Sequence, residues 1–329
     1  MPRPSIQPKV WRPPKLDPGS RPTPSLPPLT VLDVSGKGPE DVVVDDKGHV
    51  FTGVADGRIL RLTADGRRLD TIADTGGRPL GIELYPDGRL LVCDAGRGLL
   101  LVDRTTGGID VLVQSGPELR VCNNAAVLAD GTVYFTDSTS RFDLEFYMAD
   151  VLEHSGTGRL LRRDPDGTLT TVLDGLGFAN GVALAVDESF VVVAQTARYR
   201  LDKVWLTGEK AGTSETLVDN LPGFPDNLAS GADGLIWIAM AAPRDPLLDR
   251  LLPVAPFLRK AVWALPDQLR PKEKRTVWVR AVDGGTGKLV HEFFGTPSNF
   301  HMVTGVRERD GKVYLGSLNE RAIAVFDIP

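Results

Sequence analysis

A chain of 329 residues, 42% of them hydrophobic, can bury a large core in one big domain or two ordinary ones. Its 35 Gly and 25 Pro, with short apolar runs between them, point to an all-β protein rich in turns rather than to a helical one. A net charge of −5 with no Lys/Arg cluster excludes a nucleic-acid footprint, no apolar run approaches a membrane span, and four His and two Cys without C-x-x-C or H-E-x-x-H spacing argue against a zinc site.

Residues 1–29 form a Pro-rich N-terminal tail, with Pro at 2, 4, 8, 13, 14, 18, 22, 24, 27 and 28. Such a segment cannot form a helix or an inner strand, so an extended polyproline-like chain is expected. Trp11 hints at docking, though a loose tail is the simpler reading. The stretch has no apolar h-region of a secretory signal. The expected location is cytoplasmic, with no membrane contact. Cys93 and Cys122 sit in or beside apolar runs and read as buried thiols, with a single bridge as the alternative.

The main domain is expected over 30–329. TVLDV at 30–34 is the first predicted strand and AIAVFDI at 322–328 the last. Between them a pattern recurs: a short motif, an apolar strand, a turn, a second apolar strand. It reads GPEDVVVDDKGHVFTG at 38–53, RPLGIELYPDGRLLVCD at 78–94 and VCNNAAVLADGTVYFTD at 121–137. It returns as FANGVALAVDESFVVVA at 178–194, FPDNLASGADGLIWIAM at 224–240 and MVTGVRERDGKVYLGS at 302–317. The first repeat continues through RILRLT and RLDTIA, giving four short strands, the content of one propeller blade. Six repeats predict a six-bladed β-propeller whose first and last strands share a blade, leaving no open sheet edge. A β-sandwich would explain the strands but not the recurring motif.

Two insertions interrupt the period. RFDLEFYMADVLEHSGTG at 141–158 reads as a short helix or a loop over the ring's face. In the fifth repeat, about 241–270, Leu248, Leu251, Leu252, Leu258 and Val262 recur at helical spacing, broken by Pro253 and Pro256. Two short amphipathic helices are expected there, as packing against the ring, as a lid over a site, or as a membrane-touching surface.

The turn residues Gly48, Gly88, Gly131, Glu188, Gly234 and Gly311 align the repeats. Eight positions before them stand Glu40, Leu80, Asn123, Asn180, Asp226 and Val303, which repeat symmetry places near one axis. Glu40, Asn123, Asn180 and Asp226 thus aim two carboxylates and two amides at the central channel. Without a cation the carboxylates would repel and one would take up a proton. Ca²⁺ accepts such mixed oxygen donors in loose geometry, whereas Mg²⁺ prefers stricter octahedra; another divalent metal remains open. At a channel mouth the ion has room to polarise an ester carbonyl. Asp226 is the candidate to activate water, with Glu40 beside it. His301 is a second candidate base, against the plainer reading of a surface histidine. Asn124 and Asn227 adjoin the ligands and either orient or join them. Asn-Gly and Asp-Asn are also ordinary turn dipeptides, and polar groups and water often plug a propeller channel. No G-x-S-x-G is present, and GGTGKL at 284–289 has Val282 and Leu289 where a phosphate loop needs Gly and Ser or Thr.

Together RPLGI, YFTDSTS, GRLLRRD, FANGVAL, RYRLDKVWL, LPGFPDNL and DGKVYLGS resemble the strictosidine-synthase-like branch of the gluconolactonase, regucalcin and paraoxonase superfamily, from about Gly38 to the C-terminus. The resemblance implies the six-bladed propeller and, at positions matching Glu40, Asn123, Asn180 and Asp226, a catalytic Ca²⁺, joined in paraoxonases by the residue matching Asn227. It implies a lactonase or arylesterase acting on a small-molecule lactone or ester. Two positions depart from the pattern. Leu80 stands where paraoxonases carry a catalytic His, and Thr304 stands where strictosidine synthase carries a Glu. The second departure disfavours an amine–aldehyde condensation. A biosynthetic condensing or isomerising enzyme and a non-catalytic ligand-binding propeller remain the alternatives, because fold membership does not settle substrate.

Overall fold

The computed structural model describes residues 3–266 and 274–329. Its strands, in chain order, are β1 Thr30–Asp33, β2 Val42–Val44, β3 Val50–Gly53, β4 Arg58–Leu62, β5 Leu69–Asp74, β6 Pro79–Leu84, β7 Leu90–Asp94, β8 Gly98–Val102, β9 Ile109–Gln114, β10 Cys122–Val127, β11 Val133–Asp137 and β12 Gly158–Arg163. There follow β13 Leu169–Leu176, β14 Ala179–Leu184, β15 Phe190–Gln195, β16 Arg200–Trp205, β17 Ser214–Val218, β18 Gly223–Ser230, β19 Leu235–Pro243, β20 Val277–Asp283, β21 Leu289–Gly295, β22 Val303–Arg309, β23 Lys312–Ser317 and β24 Ala322–Asp327. They form six four-stranded antiparallel sheets, five built from consecutive strands and the sixth ordered β1-β24-β23-β22. β1 pairs with β24 from Thr30↔Val325 to Asp33↔Ala322, so the two ends of the ring share one blade and close it.

Turn chemistry sets the short strand length. Asp87, Asp130 and Asp187 each accept a hydrogen bond from the backbone amide two residues on, which reverses the chain without help from the sheet. The apolar faces then pack blade against blade. Val43, Phe51 and Ile59 of the first blade meet Ile82, Leu90, Val92 and Leu100 of the second. Cys93 and Cys122 lie buried between blades as free thiols, and burial pushes the Cys122 thiol up.

Innermost strands β6, β10, β14, β18 and β22 share a one-residue β-bulge. In β10, for example, pairing jumps from Cys122↔Asp137 to Ala125↔Phe135. The extra residue breaks the alternation of faces and turns one side chain per blade toward the channel. In these five blades the bulge begins at Leu80, Asn123, Asn180, Asp226 and Thr304, and Glu40 holds the corresponding place two residues before β2. The sixth blade corrects the expected register. Its hairpin turns on only two residues, Asp310 (φ 53°) and Gly311 (φ 75°), so the step back from Gly311 is seven and not eight. Thr304 takes the channel position and Val303 packs in the core.

The second bulge residue alternates around the ring: Asp41, Gly81, Asn124, Gly181, Asn227, Gly305. The glycines admit the neighbouring blade's polar residue. A Cβ on Gly181 would lie 2.2 Å from the Leu228 amide nitrogen and 2.5 Å from the Asn227 carbonyl carbon. Gly181→Ala is therefore expected to cost about 1–3 kcal/mol through forced backbone displacement, measured as a lowered denaturation midpoint with an unchanged m-value.

Three helices and the N-terminal segment cover one mouth of the channel. Helix α1 is Tyr147–Glu153, in the insertion of the third blade. Helices α2, Pro246–Leu251, and α3, Pro256–Ala264, form the fifth-blade insertion, whose residues 267–270 lie outside the described residues. Proline starts both α2 and α3, and the Asp245 side chain caps α2 by accepting from the amides of Leu247 and Leu248. Ile6, Ala149, Leu152, Leu248, Leu252 and Trp263 bury one another in a small cap core. The N-terminal segment is not loose: residues 3–15 run as an extended strap across the cap. The Lys9 amide donates to Glu153 O (2.8 Å), the Trp11 amide to Leu252 O (3.1 Å) and the Trp263 indole to Pro4 O (2.8 Å). No described helix is long and apolar enough to cross a membrane.

Candidate metal centre and substrate cavity

Under the cap lies a cavity of about 400 Å³. Glu40, Asn123, Asn180, Asp226, Leu80 and Thr304, the channel residues of the six blades, line it together. Glu40, Asn180 and Thr304 are held from behind. The Asn227 amide nitrogen donates to both Glu40 carboxylate oxygens at 3.2 and 3.1 Å. The Thr304 hydroxyl donates to Glu40 O at 2.7 Å. The Asn180 amide nitrogen donates to Thr196 Oγ1 at 3.1 Å, and that hydroxyl donates in turn to Pro225 O at 2.7 Å.

These bonds use amide nitrogens and leave the oxygens bare. Oδ1 of Asn123, Asn180 and Asn227 is buried in each case without any hydrogen-bond partner. Burial is the largest influence pushing both floor carboxylates up. Glu40 stands well above the usual range through desolvation and then the nearby charges of Asp226 and Asp41. Asp226 is pushed up to about 7 by desolvation, against a hydrogen bond from Asn180. Three unpartnered acceptors and two carboxylates that resist ionisation form one electron-rich floor short of a positive charge. A cation on this floor would satisfy Glu40, Asn123, Asn180 and Asp226, which line the cavity together, with Asn227 behind Glu40. No described cluster holds three or more His, Cys, Asp or Glu, so the donors are amide and carboxylate oxygens, which fit a hard cation and not a thiolate- or imidazole-seeking one.

Asn124 is engaged elsewhere. Its nitrogen donates to Asp41 Oδ2 (3.1 Å) and its oxygen accepts from the Val182 amide (2.8 Å), so it ties three blades together beneath the floor. The carboxyl of Asp41 is itself pushed up to about 7 by burial. His301 does not join the cavity. Its ring bonds to Glu320 on one side and lies 3.2 Å from an Arg275 guanidinium nitrogen on the other, and it is absent from the lining. As a candidate base His301 is therefore set aside: it directly precedes β22, but the left-handed Met302 (φ 56°) intervenes and lines the cavity instead. Arg78, whose charge favours the ionised form of Glu40 while its Nη1 donates to Gly38 O (2.9 Å), carried no sequence signal beyond its place in RPLGI.

Comparison with known proteins agrees with this architecture. The strictosidine synthase family model matches residues 123–209, and the strictosidine synthase-like N-terminal model matches residues 26–62. Adipocyte plasma membrane-associated protein of Salmo salar is 34% identical over 309 residues, covering 85% of this chain and 73% of that protein. Protein strictosidine synthase-like 3 of Arabidopsis thaliana is 34% identical over 328 residues, covering 89% of this chain and 83% of the relative. Among solved structures, a gluconolactonase of Xanthomonas campestris superposes with a TM-score of 0.66 at 18% identity, covering 92% of this chain and 89% of its own. The calcium-binding protein regucalcin of Agrobacterium tumefaciens superposes with a TM-score of 0.63 at 13% identity, covering 89% and 90%. At those identities the two structures speak for the fold, while the sequence relatives extend over most of both chains. The chain belongs to the strictosidine synthase-like family.

Proposed function

We propose that this protein hydrolyses lactones or small carboxylic esters at a divalent-cation centre on the channel floor. The observation that carries the reading is the set of three buried amide oxygens without partners beside two buried carboxylates. Ca²⁺ held by Glu40, Asn123, Asn180, Asp226 and Asn227 would polarise the ester carbonyl and offset the negative charge that develops on its oxygen. The remaining work falls to the chain. Asn227 and Thr304 fix Glu40, and the Thr196–Pro225 chain fixes Asn180, so the floor needs little rearrangement during reaction. No imidazole lines the cavity among the described residues, and Leu80 fills one blade's position, so Asp226 is the acceptor for the proton of the attacking water. Water oxygen bonds to the acyl carbon, the acyl C–O bond breaks, and the proton passes to the departing alkoxide. A lactone gives a hydroxy acid by this route, and an ester gives an acid and an alcohol. That a gluconolactonase shares the fold is consistent with this chemistry without determining the substrate.

The test is hydrolysis of γ- and δ-lactones and phenyl acetate by chelated protein, before and after Ca²⁺ is restored. Activity is expected to vanish on chelation and return with the ion. A chain that gains thermal stability from Ca²⁺ yet turns over no ester or lactone would be a binding propeller instead.

A further inference from the structure

The floor supplies the chemistry, but the walls above it have a different character. Met148 and Leu152 of α1, Leu248 and Leu251 of α2, Val262 of α3 and Phe224 of β18 face the cavity. Polar wall groups are few and mostly committed. The Thr196 hydroxyl donates to Pro225 O, the Thr304 hydroxyl donates to Glu40 O, and Asp245 caps α2. Tyr147 is engaged as well. Lys274 is the one cation that lines the cavity among the described residues.

A polyhydroxylated ring placed on this floor would bury several hydroxyls against aliphatic carbon. Each buried hydroxyl left unpaired weakens binding by about tenfold or more. An alkyl chain in the same place gains about fourfold in affinity per buried methylene. A volume of about 400 Å³ suits one compact ring with a short chain.

We infer that the cavity takes an uncharged lactone or ester with an apolar alkyl or aryl body, the carbonyl on the floor and the body under the cap, and that it rejects sugar lactones. The inference rests on the hydrolytic reading for its chemistry but not for its binding. α1, α2 and α3, which line the cavity, lie outside the six-bladed repeat, so selectivity sits in the insertions and the reaction in the ring. Leu247 and Met148 are part-exposed members of the lining, and their replacement leaves the cap core intact.

The experiment uses the full chain with Ca²⁺ present and two matched panels. The first is 5-alkyl-2-pyrrolidinones from methyl to octyl, with gluconolactam, as hydrolysis-resistant ligands measured by calorimetry. The second is the corresponding γ-alkyl lactones and gluconolactone, measured as kcat/KM. Affinity is expected to rise about fourfold per methylene to a plateau, with gluconolactam at least about a hundredfold weaker than the best alkyl lactam. Leu247→Ser and Met148→Ser should flatten the chain-length slope. No slope, no lactam binding at all, or gluconolactam bound as tightly as the octyl compound would overturn the inference. Lactams that bind with the expected slope while no lactone is turned over would leave the inference standing and remove the hydrolytic reading. Hydrolysis that favours gluconolactone would do the reverse.

Discussion

Asparagine in place of Asp226 is expected to raise the melting temperature of the calcium-free protein while sharply reducing both its response to Ca²⁺ and its hydrolytic activity. The two effects have one origin. In the calcium-free chain Asp226 is pushed up to about 7 by burial, and Glu40 is pushed up by burial and by Asp226 itself. Their unfolded values lie near 4, so between about pH 4 and 7 the folded chain holds protons that the unfolded chain has released. The stability this provides is complete below about pH 4 and is lost as pH rises through about 7. Calcium-free protein should therefore melt lower at pH 8 than at pH 6, and Asp226→Asn, which carries no charge to bury, should flatten that dependence and melt about 2–5 °C higher at pH 8. Ca²⁺ at a hundred times its dissociation constant adds about 2.7 kcal/mol to the wild type by mass action. The variant, lacking one of two anionic donors, should gain far less. Hydrolysis should fall by about 10²–10³ or more, since the proton acceptor and a donor to the ion are lost together. Scanning calorimetry at the two pH values, with and without Ca²⁺, reads all of this except the rate. Equal Ca²⁺ stabilisation of variant and wild type would remove Asp226 from the centre.

Most of the ring was legible in the sequence because each blade announces its first hairpin by a local device. The Asp-Gly turns that reverse the chain at Asp87 and Asp130 need only their own residues, so their spacing survives without knowledge of the partners. Glu40, Asn123, Asn180 and Asp226 came into register for the same reason. The bulge that turns them to the channel was not legible, because a bulge is a mismatch between two strands and exists only once they pair. Turn length is likewise fixed only by pairing: the two-residue turn at Asp310–Gly311 puts Thr304, seven before Gly311, at the channel where a step of eight gives Val303. The strap was hidden for a related reason. A Pro-rich segment makes no hydrogen bonds within itself, so its periodicity says nothing about the carbonyls of Glu153 and Leu252 that receive its amides. Orphaned oxygens on Asn123, Asn180 and Asn227 could not be read from composition, since the same amides would be ordinary turn residues if their oxygens met backbone donors.

The cap should prove as sensitive as the floor. Arg259 of α3 is wholly buried, and its guanidinium donates to Leu152 O at 2.9 Å and to Lys9 O at 2.7 Å, tying α3, the end of α1 and the strap together. Arg259→Ala leaves the buried Leu152 carbonyl and the part-buried Lys9 carbonyl without this donor and opens a void, an expected loss of about 2–4 kcal/mol, and Arg259→Met, which fills the void alone, should recover part of it. Release should be visible as new protease cleavage within residues 3–15. Acid should act on the same joint. His154 sits in the left-handed conformation (φ 55°), stacked on Trp11 at 4.4 Å, with neither ring nitrogen partnered. Burial, followed by the charges of Arg198, Arg259 and Lys9, depresses it to about 3. A released imidazole takes a proton near pH 6.5 that the docked one refuses, so the stability of docking is present above that value and is lost as pH falls from about 6.5 toward 3. Protease sensitivity of the strap should therefore rise between pH 6 and 4.5 in the wild type and much less in His154→Asn, since Asn tolerates the left-handed backbone and carries no titratable ring. A strap that stays protected at pH 4.5 in the wild type, or wild-type protection in Arg259→Ala, would show that the cap is held by its apolar core and not by this joint.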